Sequence, residues 1–528
     1  MKKHLTLLPV SAGMFCFLNL PFLATGQQAC IELDTDIAVG APHSYPVLLT
    51  EFGSEVVFQA TDNIIGYELF KHDGTTVTPI MDIFPGGFSS SPNLLTVVGS
   101  NLYFVAQDGV NGDELWVYDG TTCSMAADVR PGPFGSNITL ITPVGSEIYF
   151  VADDGVSGFE LWNFDGTTAT LAADINPGAG DSDISEMVGL GADLYLFADN
   201  GSTGRELFQY DGGVATLISD IVPGTTTSNP MELFAYGTSV MFRANNGSDG
   251  NELYEYDGST LTQYEINPGS GNGNPTNFCA WSGALYFSGY EPTNGSELRR
   301  FNGSTITLMC DIHTGSAPCL PSELTPIGTD LYFRGRNAAN GVELFKWDGT
   351  TGSVVVDINP GAGFGDPYEL TLVGGTDLYF RADNGSDGVE IYFWDGTTMS
   401  TEDIYPGSGS SGAYGFTPLG TDVLFAADDG TNGTELWSSI CTTIAGEKTQ
   451  NIVKLNVYPN PTNEFLNVQC TGNSGMEVQI FDQSGKLLKS FVSEANSTEL
   501  SVSSLPSGVF TLLVNNGDGV SSERIIRN

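Results

Sequence analysis

Hydrophobic and polar residues alternate in short runs along most of the chain, and glycine, aspartate, asparagine and proline separate the runs. Between residues 94 and 129 the runs are LLTVVG, NLYFVA, ELWVYDG and CSMAADV, with a Gly-Ser pair, QDGVNG and an Asp-Gly-Thr-Thr turn between them. A side-chain period of two predicts β-strands, and short glycine-containing segments between such runs predict tight turns. This stretch therefore predicts four short antiparallel strands.

The four-strand pattern is repeated along the chain. A glutamate that follows Gly-x and precedes Leu or Ile recurs at intervals of 45 to 47 residues, and an acidic residue before Ile or Val keeps the same spacing. These glutamates are Glu68, Glu114, Glu160, Glu206, Glu252, Glu297, Glu343, Glu390 and Glu435. Four strands in a repeat of this length is the size of one β-propeller blade, and such repeats bury their faces only against neighbours. The sequence therefore predicts an all-β fold, a nine-bladed β-propeller of four-stranded blades.

The two ends of the repeated region predict how the ring closes. The ninth unit ends after its third strand, ELWSSICTT, whereas CIELDTDI at the start of the region matches the fourth strand of the other units. We therefore expect the N-terminal strand to complete the last blade. Cys30 and Cys441 flank the position of the missing turn, which predicts a disulfide between them, and Cys310 and Cys319 are candidates for a second, local bridge.

The start of the chain and its charge indicate where the protein works. Residues 1–26 contain two lysines, an apolar run and then small residues, which predicts a secretory signal peptide with cleavage before Gln27. The formal net charge is −45, and a surface this acidic repels nucleic acid and anionic lipid and attracts cations. No later apolar run is long enough to span a bilayer, so we expect a secreted or cell-surface product.

The repeated glutamate could serve the fold or bind a metal ion. As a structural residue it would accept backbone N–H bonds from the adjoining glycine-rich turn, because a buried carboxylate needs donors. As a ligand it would act with loops such as DDGVSGFE, DNGSDGVE and DDGTNGTE, since Ca²⁺ takes about six to eight oxygen ligands. The candidate calcium ligands are Asp154, Glu160, Asn384, Asp387, Glu390, Asp429 and Glu435. Turn chemistry explains every copy of the glutamate, so we favour the structural interpretation and keep calcium as the one possible cofactor.

Two family resemblances cover different parts of the chain. The phrase ELW-x-x-DGT, intact as ELWVYDGTT and ELWNFDGTT, resembles the bacterial ELWxxDGT-repeat proteins over roughly residues 30 to 443. The LYF strand and the W-x-Y-D-x-T strand also make the unit similar to kelch repeats. These resemblances agree with a propeller domain over residues 27–443.

After Cys441 the repeat stops, and residues 444–453 are expected to form a linker to a domain at 454–528. The segments KLNVYPNPTNEFLNVQ, VQIFDQSGKLLKSF and SERIIRN follow one another there. Together they resemble the C-terminal sorting domain, type A, of the type IX secretion system of Bacteroidetes. The resemblance implies a small β-sandwich that carries its cargo across the outer membrane, with the secretion machinery as its partner.

The remaining chemistry favours a binding protein. After the signal peptide the chain has only His43, His72 and His313, all in different units, so no His-based metal centre and no Ser-His-Asp triad is evident. The long connections should crowd one acidic face, where a glycan or protein ligand would bind. We predict a non-enzymatic binding or adhesion propeller; the alternative is a carbohydrate-active enzyme, a glycoside hydrolase or lyase, with acidic residues on that face.

Overall fold

The computed structural model describes residues 31–439 apart from residue 41, and residues 455–527 with gaps at 459–461, 463, 471–475, 482–486, 494, 496, 507 and 516–519. The chain divides into two compact units, Met1–Ile440 and Cys441–Asn528. The predicted signal peptide, the linker at 444–453 and the Cys30–Cys441 bridge lie outside the described residues. Within them, no helix is long and apolar enough to cross a membrane.

In the described part of the first unit, 36 strands form nine antiparallel sheets of four. Blades 1 to 3 contain β2 Val47–Phe52, β3 Glu55–Thr61, β4 Tyr67–His72, β5 Val77–Met81; β6 Asn93–Val98, β7 Asn101–Gln107, β8 Asp113–Tyr118, β9 Cys123–Ala127; β10 Thr139–Val144, β11 Glu147–Asp153, β12 Phe159–Phe164, β13 Ala169–Ala173. Blades 4 to 6 contain β14 Met187–Leu190, β15 Asp193–Asp199, β16 Arg205–Tyr210, β17 Ala215–Ser219; β18 Met231–Tyr236, β19 Ser239–Asn245, β20 Asn251–Tyr256, β21 Leu261–Tyr264; β22 Thr276–Trp281, β23 Ala284–Glu291, β24 Gly295–Phe301, β25 Ile306–Leu308. Blades 7 to 9 contain β26 Ser322–Ile327, β27 Asp330–Asn337, β28 Gly341–Trp347, β29 Gly352–Val356; β30 Tyr368–Val373, β31 Asp377–Asp383, β32 Val389–Trp394, β33 Met399–Glu402; β34 Tyr414–Leu419, β35 Asp422–Asp428, β36 Thr434–Ser438 and β1 Glu32–Thr35.

The hydrophobic core lies between neighbouring blades and is built mainly by the second and third strands. Phe104 on β7 is fully buried, and residues 102–106 around it are at most 4% exposed. Tyr103 of blade 2 contacts Phe164 of blade 3, with ring centroids 5.8 Å apart. Tyr149 and Tyr210 repeat this contact between blades 3 and 4 at 5.6 Å. Each blade therefore needs the next one to bury its aromatic face, which is why the unit forms a ring.

The N-terminal strand closes the ring, as the sequence predicted. Strand β1 pairs with β36 as the fourth strand of blade 9, and Leu33 lies opposite Trp437. The first strand of each blade contacts the first strand of the next blade, including β34 of blade 9 and β2 of blade 1. At the closing interface, Nε2 of His72 lies 3.1 Å from Oδ1 of Asp34, and both side chains are buried. His72 thus stands at the position of Phe164 and Tyr210 and makes a polar contact across this interface.

The second unit contains two antiparallel sheets that share one apolar core. One sheet has β37 Leu455–Tyr458, β38 Phe465–Cys470 and β41 Ser497–Ser501, and the other has β39 Met476–Phe481, β40 Leu487–Ser493, β42 Gly508–Asn515 and β43 Val520–Arg527. Leu466 and Val468 of the first sheet belong to the same buried cluster as Val478 and Leu512 of the second. Alternating apolar residues on the two inner faces are typical of a β-sandwich.

Candidate functional site

The nine repeated glutamates are buried, and each holds the connection that leads to the next blade. Glu114 accepts hydrogen bonds from the N–H of Val129 at 2.8 Å and from the hydroxyl of Ser136 at 2.8 Å. In blade 9, Glu435 accepts the N–H of Ile37 at 2.8 Å, so the same device binds the N-terminal segment where the ring closes. The carboxylates are turn anchors, but their donors lie in the connection after the blade and not in the turn before the glutamate.

Burial changes the acidity of these anchors. Desolvation raises the pKa of their carboxyl groups, and hydrogen bonds from backbone N–H groups and serine hydroxyls offset part of the rise. The pKa reaches about 7 at Glu160, Glu206, Glu252, Glu297 and Glu343. An anchor of this kind binds its proton more strongly in the folded chain than an exposed glutamate does.

The candidate calcium ligands in blade 3 serve two different turns. Oδ1 of Asp154 accepts the N–H groups of Val156 and Ser157, both at 2.8 Å, and so closes an exposed loop. Glu160 instead accepts the N–H of Ile175 at 2.6 Å inside the blade interface. The two carboxylates are therefore directed at backbone donors and not at a common point.

Blades 8 and 9 repeat this arrangement. Asn384 donates its amide N–H to Asp387 at 2.7 Å, while Asp429 accepts the N–H of Thr431 at 2.8 Å. Glu390 and Glu435 are buried anchors like Glu160. Within the described ranges, no group of three or more His, Cys, Asp or Glu side chains is arranged to hold a metal ion. These contacts lend no support to the calcium hypothesis, which stays a prediction.

The structure differs from the predicted local disulfide. Cys310 and Cys319 are free thiols that belong to one apolar cluster. Cys319 occupies the place of Ser136 in blade 2, and its backbone N–H donates to Glu297 at 3.0 Å. Its Sγ atom accepts the N–H of Arg336 at 3.4 Å. Cys319 thus occupies an anchor position, where most other blades have a serine.

The central channel, the space surrounded by the nine first strands, departs from the ninefold pattern at one end. We call this end the channel mouth; here the first strands begin and the second strands end. The second residue of the first strand, or its equivalent, is Leu48, Leu94 and Leu140 in blades 1 to 3, but Glu186, Glu232, Glu323 and Glu369 in blades 4, 5, 7 and 8. One sector of the mouth is therefore apolar and the other is acidic.

The channel glutamates connect neighbouring first strands. Glu186 accepts the N–H of Leu233 at 2.7 Å, and Glu369 accepts the N–H of Gly415 at 2.6 Å. Leucine at this position has no acceptor to offer. This position lies where the first strand bulges in both sectors. Leu94 and Glu369 both adopt a positive φ there, at 55° and 58°.

A cavity of about 480 Å³ opens at the mouth on blade 8, between the connections that enter and leave this blade. Its lining combines charged, aromatic and small residues: Phe364, Asp366, Tyr368, Arg381, Asp383, Val389, Ser410 and Gly412. None of these residues is among the site residues predicted from the sequence. A position-by-position comparison of the copies would have shown arginine at this position in blades 5, 7 and 8, where blades 2 and 3 have valine.

Arginines and a tyrosine organise one wall of this cavity. Arg334 of blade 7 donates to Oδ1 of Asp366 at 2.9 Å through Nε, and its guanidinium lies 4.6 Å from the ring centroid of Tyr368. Arg381 lies 3.5 Å from Glu369 and 5.9 Å from the same ring. The ring of Tyr368 thus lies near two guanidinium groups, and each guanidinium is paired with a carboxylate.

The cavity offers paired donors and acceptors beside an exposed ring. Phe364 is 52% exposed, and the guanidinium of Arg336 lies 5.7 Å from its centroid. Asp383 accepts the N–H of Gly385 at 2.7 Å. No histidine, cysteine or serine–base pair lines the cavity. Such a set of groups can hydrogen-bond hydroxyls and stack on an apolar ring face.

No curated protein matches the chain. Solved structures to which it is similar include a prolyl endopeptidase, at 11% identity and a TM-score of 0.39 over 68% of this chain and 54% of that one. Another is PorZ, an essential surface component of the type IX secretion system of Porphyromonas gingivalis, at 13% identity and a TM-score of 0.25 over 90% of this chain and 91% of that one. A third is the GH74 xyloglucanase of Xanthomonas campestris, at 12% identity and a TM-score of 0.28 over 91% of this chain and 77% of that one. The chain spans about half the length of the endopeptidase. Likeness at this level does not bear on function.

The C-terminal unit matches the model of a known domain family. Residues 456–528 match the family model of the secretion system C-terminal sorting domain. This domain interacts with the type IX secretion machinery. The protein is therefore exported through that system to the cell surface or beyond it.

Proposed function

We propose that the exported propeller is a non-enzymatic binding module whose ligand site is the cavity at the channel mouth on blade 8. The observation that carries the proposal is the cluster of Arg334, Tyr368 and Arg381, which interrupts an otherwise repeated ring. Blades 2 and 3 have valine and blade 9 has alanine at the arginine position. A ring needs no such cluster for its own closure, so the cluster is available for a ligand.

The ligand class that fits these groups is an extracellular glycan. Sugar hydroxyls can donate to Asp366 and accept from Arg381, and the exposed ring of Phe364 offers a surface for the apolar face of a sugar. Arg334 and Arg381 are already paired with carboxylates, and the chain carries a formal charge of −45, so the surroundings of the cavity do not favour an acidic ligand. Neutral sugars therefore suit it better than polyanions.

A glycan array on the full chain, followed by calorimetric titration of the best glycan, tests this proposal. Arg381→Ala should weaken binding about tenfold or more, because a charge-assisted hydrogen bond contributes about 1.5–3 kcal/mol. Arg243→Ala is the matched control, since Arg243 has the same strand position in blade 5, away from this cavity. Equal affinity of the Arg381→Ala chain and the wild-type chain, or an equal loss in the control, would contradict the site.

The alternative is a carbohydrate-active enzyme, and one observation favours it: Asp366 and Asp383 line the same cavity. Glycoside hydrolysis uses two carboxyl groups on either side of the sugar bond. Against it, Asp366 is bound by Arg334 and Asp383 by a backbone N–H, so each carboxylate already has a partner. Polysaccharide hydrolysis that is abolished by both Asp366→Asn and Asp383→Asn would replace the binding proposal with the enzyme.

A further inference from the structure

A second departure from the ninefold pattern lies in blades 1 to 3, on the face that carries the long connections. Five apolar side chains there are exposed: Ile64 at 73%, Phe88 at 63%, Val110 at 67%, Phe134 at 76% and Val156 at 74%. Singly exposed apolar residues are ordinary, but a contiguous group on a monomer marks a contact surface. The question is whether these five form one surface.

Close approaches between loops show that they do. The carbonyl of Phe88 lies directly against Gly66, two residues after Ile64, and the ring of Phe84 covers Gly109, the neighbour of Val110. Phe84 and Phe88 stack on each other with centroids 4.9 Å apart. The surface therefore continues without a break from the loop of blade 1 to the loop of blade 2.

The same contacts extend the surface to blade 3. The backbone at Phe134 lies against Gly112, two residues after Val110. Arg130, which is paired with Asp153, bridges from this connection to Gly155, next to Val156, and its guanidinium lies 5.7 Å from the Phe134 ring. We call the continuous surface formed by Ile64, Phe84, Phe88, Val110, Phe134 and Val156 the apolar arc.

Other blades show that the fold does not require this apolar character. The loop position of Val110 is Ser202 in blade 4, Ser248 in blade 5 and Ser386 in blade 8. The connection position of Phe134 is Thr226 after blade 4 and Gly271 after blade 5. The apolar side chains are exposed and unnecessary for the turns, so their burial has to come from a partner.

Charge decides between the partners that could cover the arc. Asp62, Asp108 and Asp154 stand on the same three loops, two residues before the apolar side chains, and the whole chain carries a formal charge of −45. A second copy of the chain or an anionic membrane would bring like charges together. A protein that presents apolar and basic side chains together meets both features of the surface.

We propose that the apolar arc is a docking surface for a protein segment that combines apolar and basic side chains. The arc lies on blades 1 to 3, whereas the proposed glycan cavity lies on blade 8, so the two sites share no residue. Apolar contacts supply the binding energy, and the acidic surroundings accelerate the encounter and exclude acidic competitors. The propeller would thus connect an exported partner protein with a ligand at the channel mouth.

A fluorescent amphipathic peptide of leucine and lysine is the probe for this surface, and its anisotropy with the full chain gives the dissociation constant. The test variant combines Val110→Ser, Phe134→Thr and Val156→Ser, each taken from an equivalent position in the other blades. We expect at least about tenfold weaker binding, since three exposed apolar contacts are lost. Unchanged binding by the triple variant would overturn the proposal.

Three controls make the result specific. Val214→Ser removes a 64% exposed valine in a short turn on the other face and should leave affinity unchanged. A lysine-only peptide of equal length should bind weakly; if it binds as well as the mixed peptide, charge alone explains binding and the docking surface is refuted. Sedimentation velocity that finds dimers lost in the triple variant would assign the arc to a second copy instead. If the triple variant melts early, Val156→Ser alone is tested against the same criteria.

Discussion

Blades 1 to 3 and blades 4 to 8 have the same scaffold but different surfaces. Glu114 in blade 2 and Glu343 in blade 7 are both buried and anchor the connection 15 residues further along, through the N–H of Val129 and Ile358. At the channel mouth, however, the position that is leucine in blades 1 to 3 is glutamate in blades 4, 5, 7 and 8. The difference shows that the positions that anchor the connections stay the same from blade to blade, while the positions at the channel mouth carry the variation.

The largest effect that can test this comparison is that of pH, because nine buried carboxyls act together. Burial raises the pKa of Glu160 from an ordinary value of 4.5 to about 7, so the folded chain holds this proton more tightly than the unfolded chain. Its contribution to stability is greatest below pH 4.5 and declines as pH rises through 7. We therefore expect the melting temperature to be highest near pH 4 to 5, about the ordinary glutamate pKa, and to fall towards pH 8.

Exposed turn aspartates act in the opposite direction at lower pH. A hydrogen bond from the Thr167 hydroxyl and bonds from neighbouring N–H groups lower the pKa of Asp165 from 3.8 to about 2, so its contribution is lost as pH falls through that value. Thermal melts at a series of pH values should show that Glu160→Gln and Glu343→Gln reduce the fall in melting temperature towards pH 8 by equal amounts. Asp165→Asn should change the melting temperature only at acid pH. A reduced fall in only one of the two glutamine variants would mean that the sectors do not share a scaffold.

Removal of a single anchor should have the next largest effect. Glu114→Ala and Glu343→Ala each leave buried N–H donors without an acceptor, and we expect each to lower the free energy of unfolding by about 2–4 kcal/mol. Urea titration measures the change, and Glu51→Ala, at an exposed position, serves as the control. A loss confined to one of the two blades would contradict the equivalence of the anchors.

Replacement of a channel glutamate should have a smaller effect and should sharpen the contrast between the sectors. Glu369→Leu loses the bond to the N–H of Gly415 and the ion pair with Arg381, with an expected cost of about 1–2 kcal/mol. Glu369→Gln keeps an acceptor for that N–H and should lose less. If leucine is tolerated at 369 as it is at 94, the acidic sector has no structural role and is kept for a ligand.

Chelation of calcium should have the smallest effect. Because the oxygens of Asp154 and Asp429 already accept backbone N–H bonds, we expect EDTA to leave the melting temperature unchanged. A fall with EDTA that CaCl₂ restores, and that Asp387→Asn removes, would establish a calcium site in blade 8.

Much of the fold could be predicted because it follows from repeated patterns of neighbouring residues. The spacing of Glu68 to Glu435 predicted nine blades, and the missing strand after Glu435 predicted closure by β1. The buried role of the glutamates was also predictable, since a repeated carboxylate needs repeated donors. Which donors serve it was not, because the N–H of Val129 comes near Glu114 only after the chain has turned into the next blade.

The candidate site was much less predictable. Arg334 and Arg381 have the same place in consecutive blades, but nothing in the sequence indicates that both approach the ring of Tyr368. The Cys310–Cys319 pairing was inferred from nearness in sequence, but Cys319 is held at an anchor position by Glu297. Spacing along the chain reports contacts within a blade better than contacts between blades.

The blade, the number of blades, the strand that closes the ring and the sorting domain that exports the protein could all be predicted, because each depends on a pattern within a few dozen neighbouring residues. Two contacts became visible only in the folded chain: Phe84 covers Gly109, and Arg334 binds Asp366. Both contacts join consecutive blades, and their geometry is set by how twisted sheets pack around an axis. The surfaces proposed for binding therefore arise where the repeated scaffold brings unrepeated side chains together.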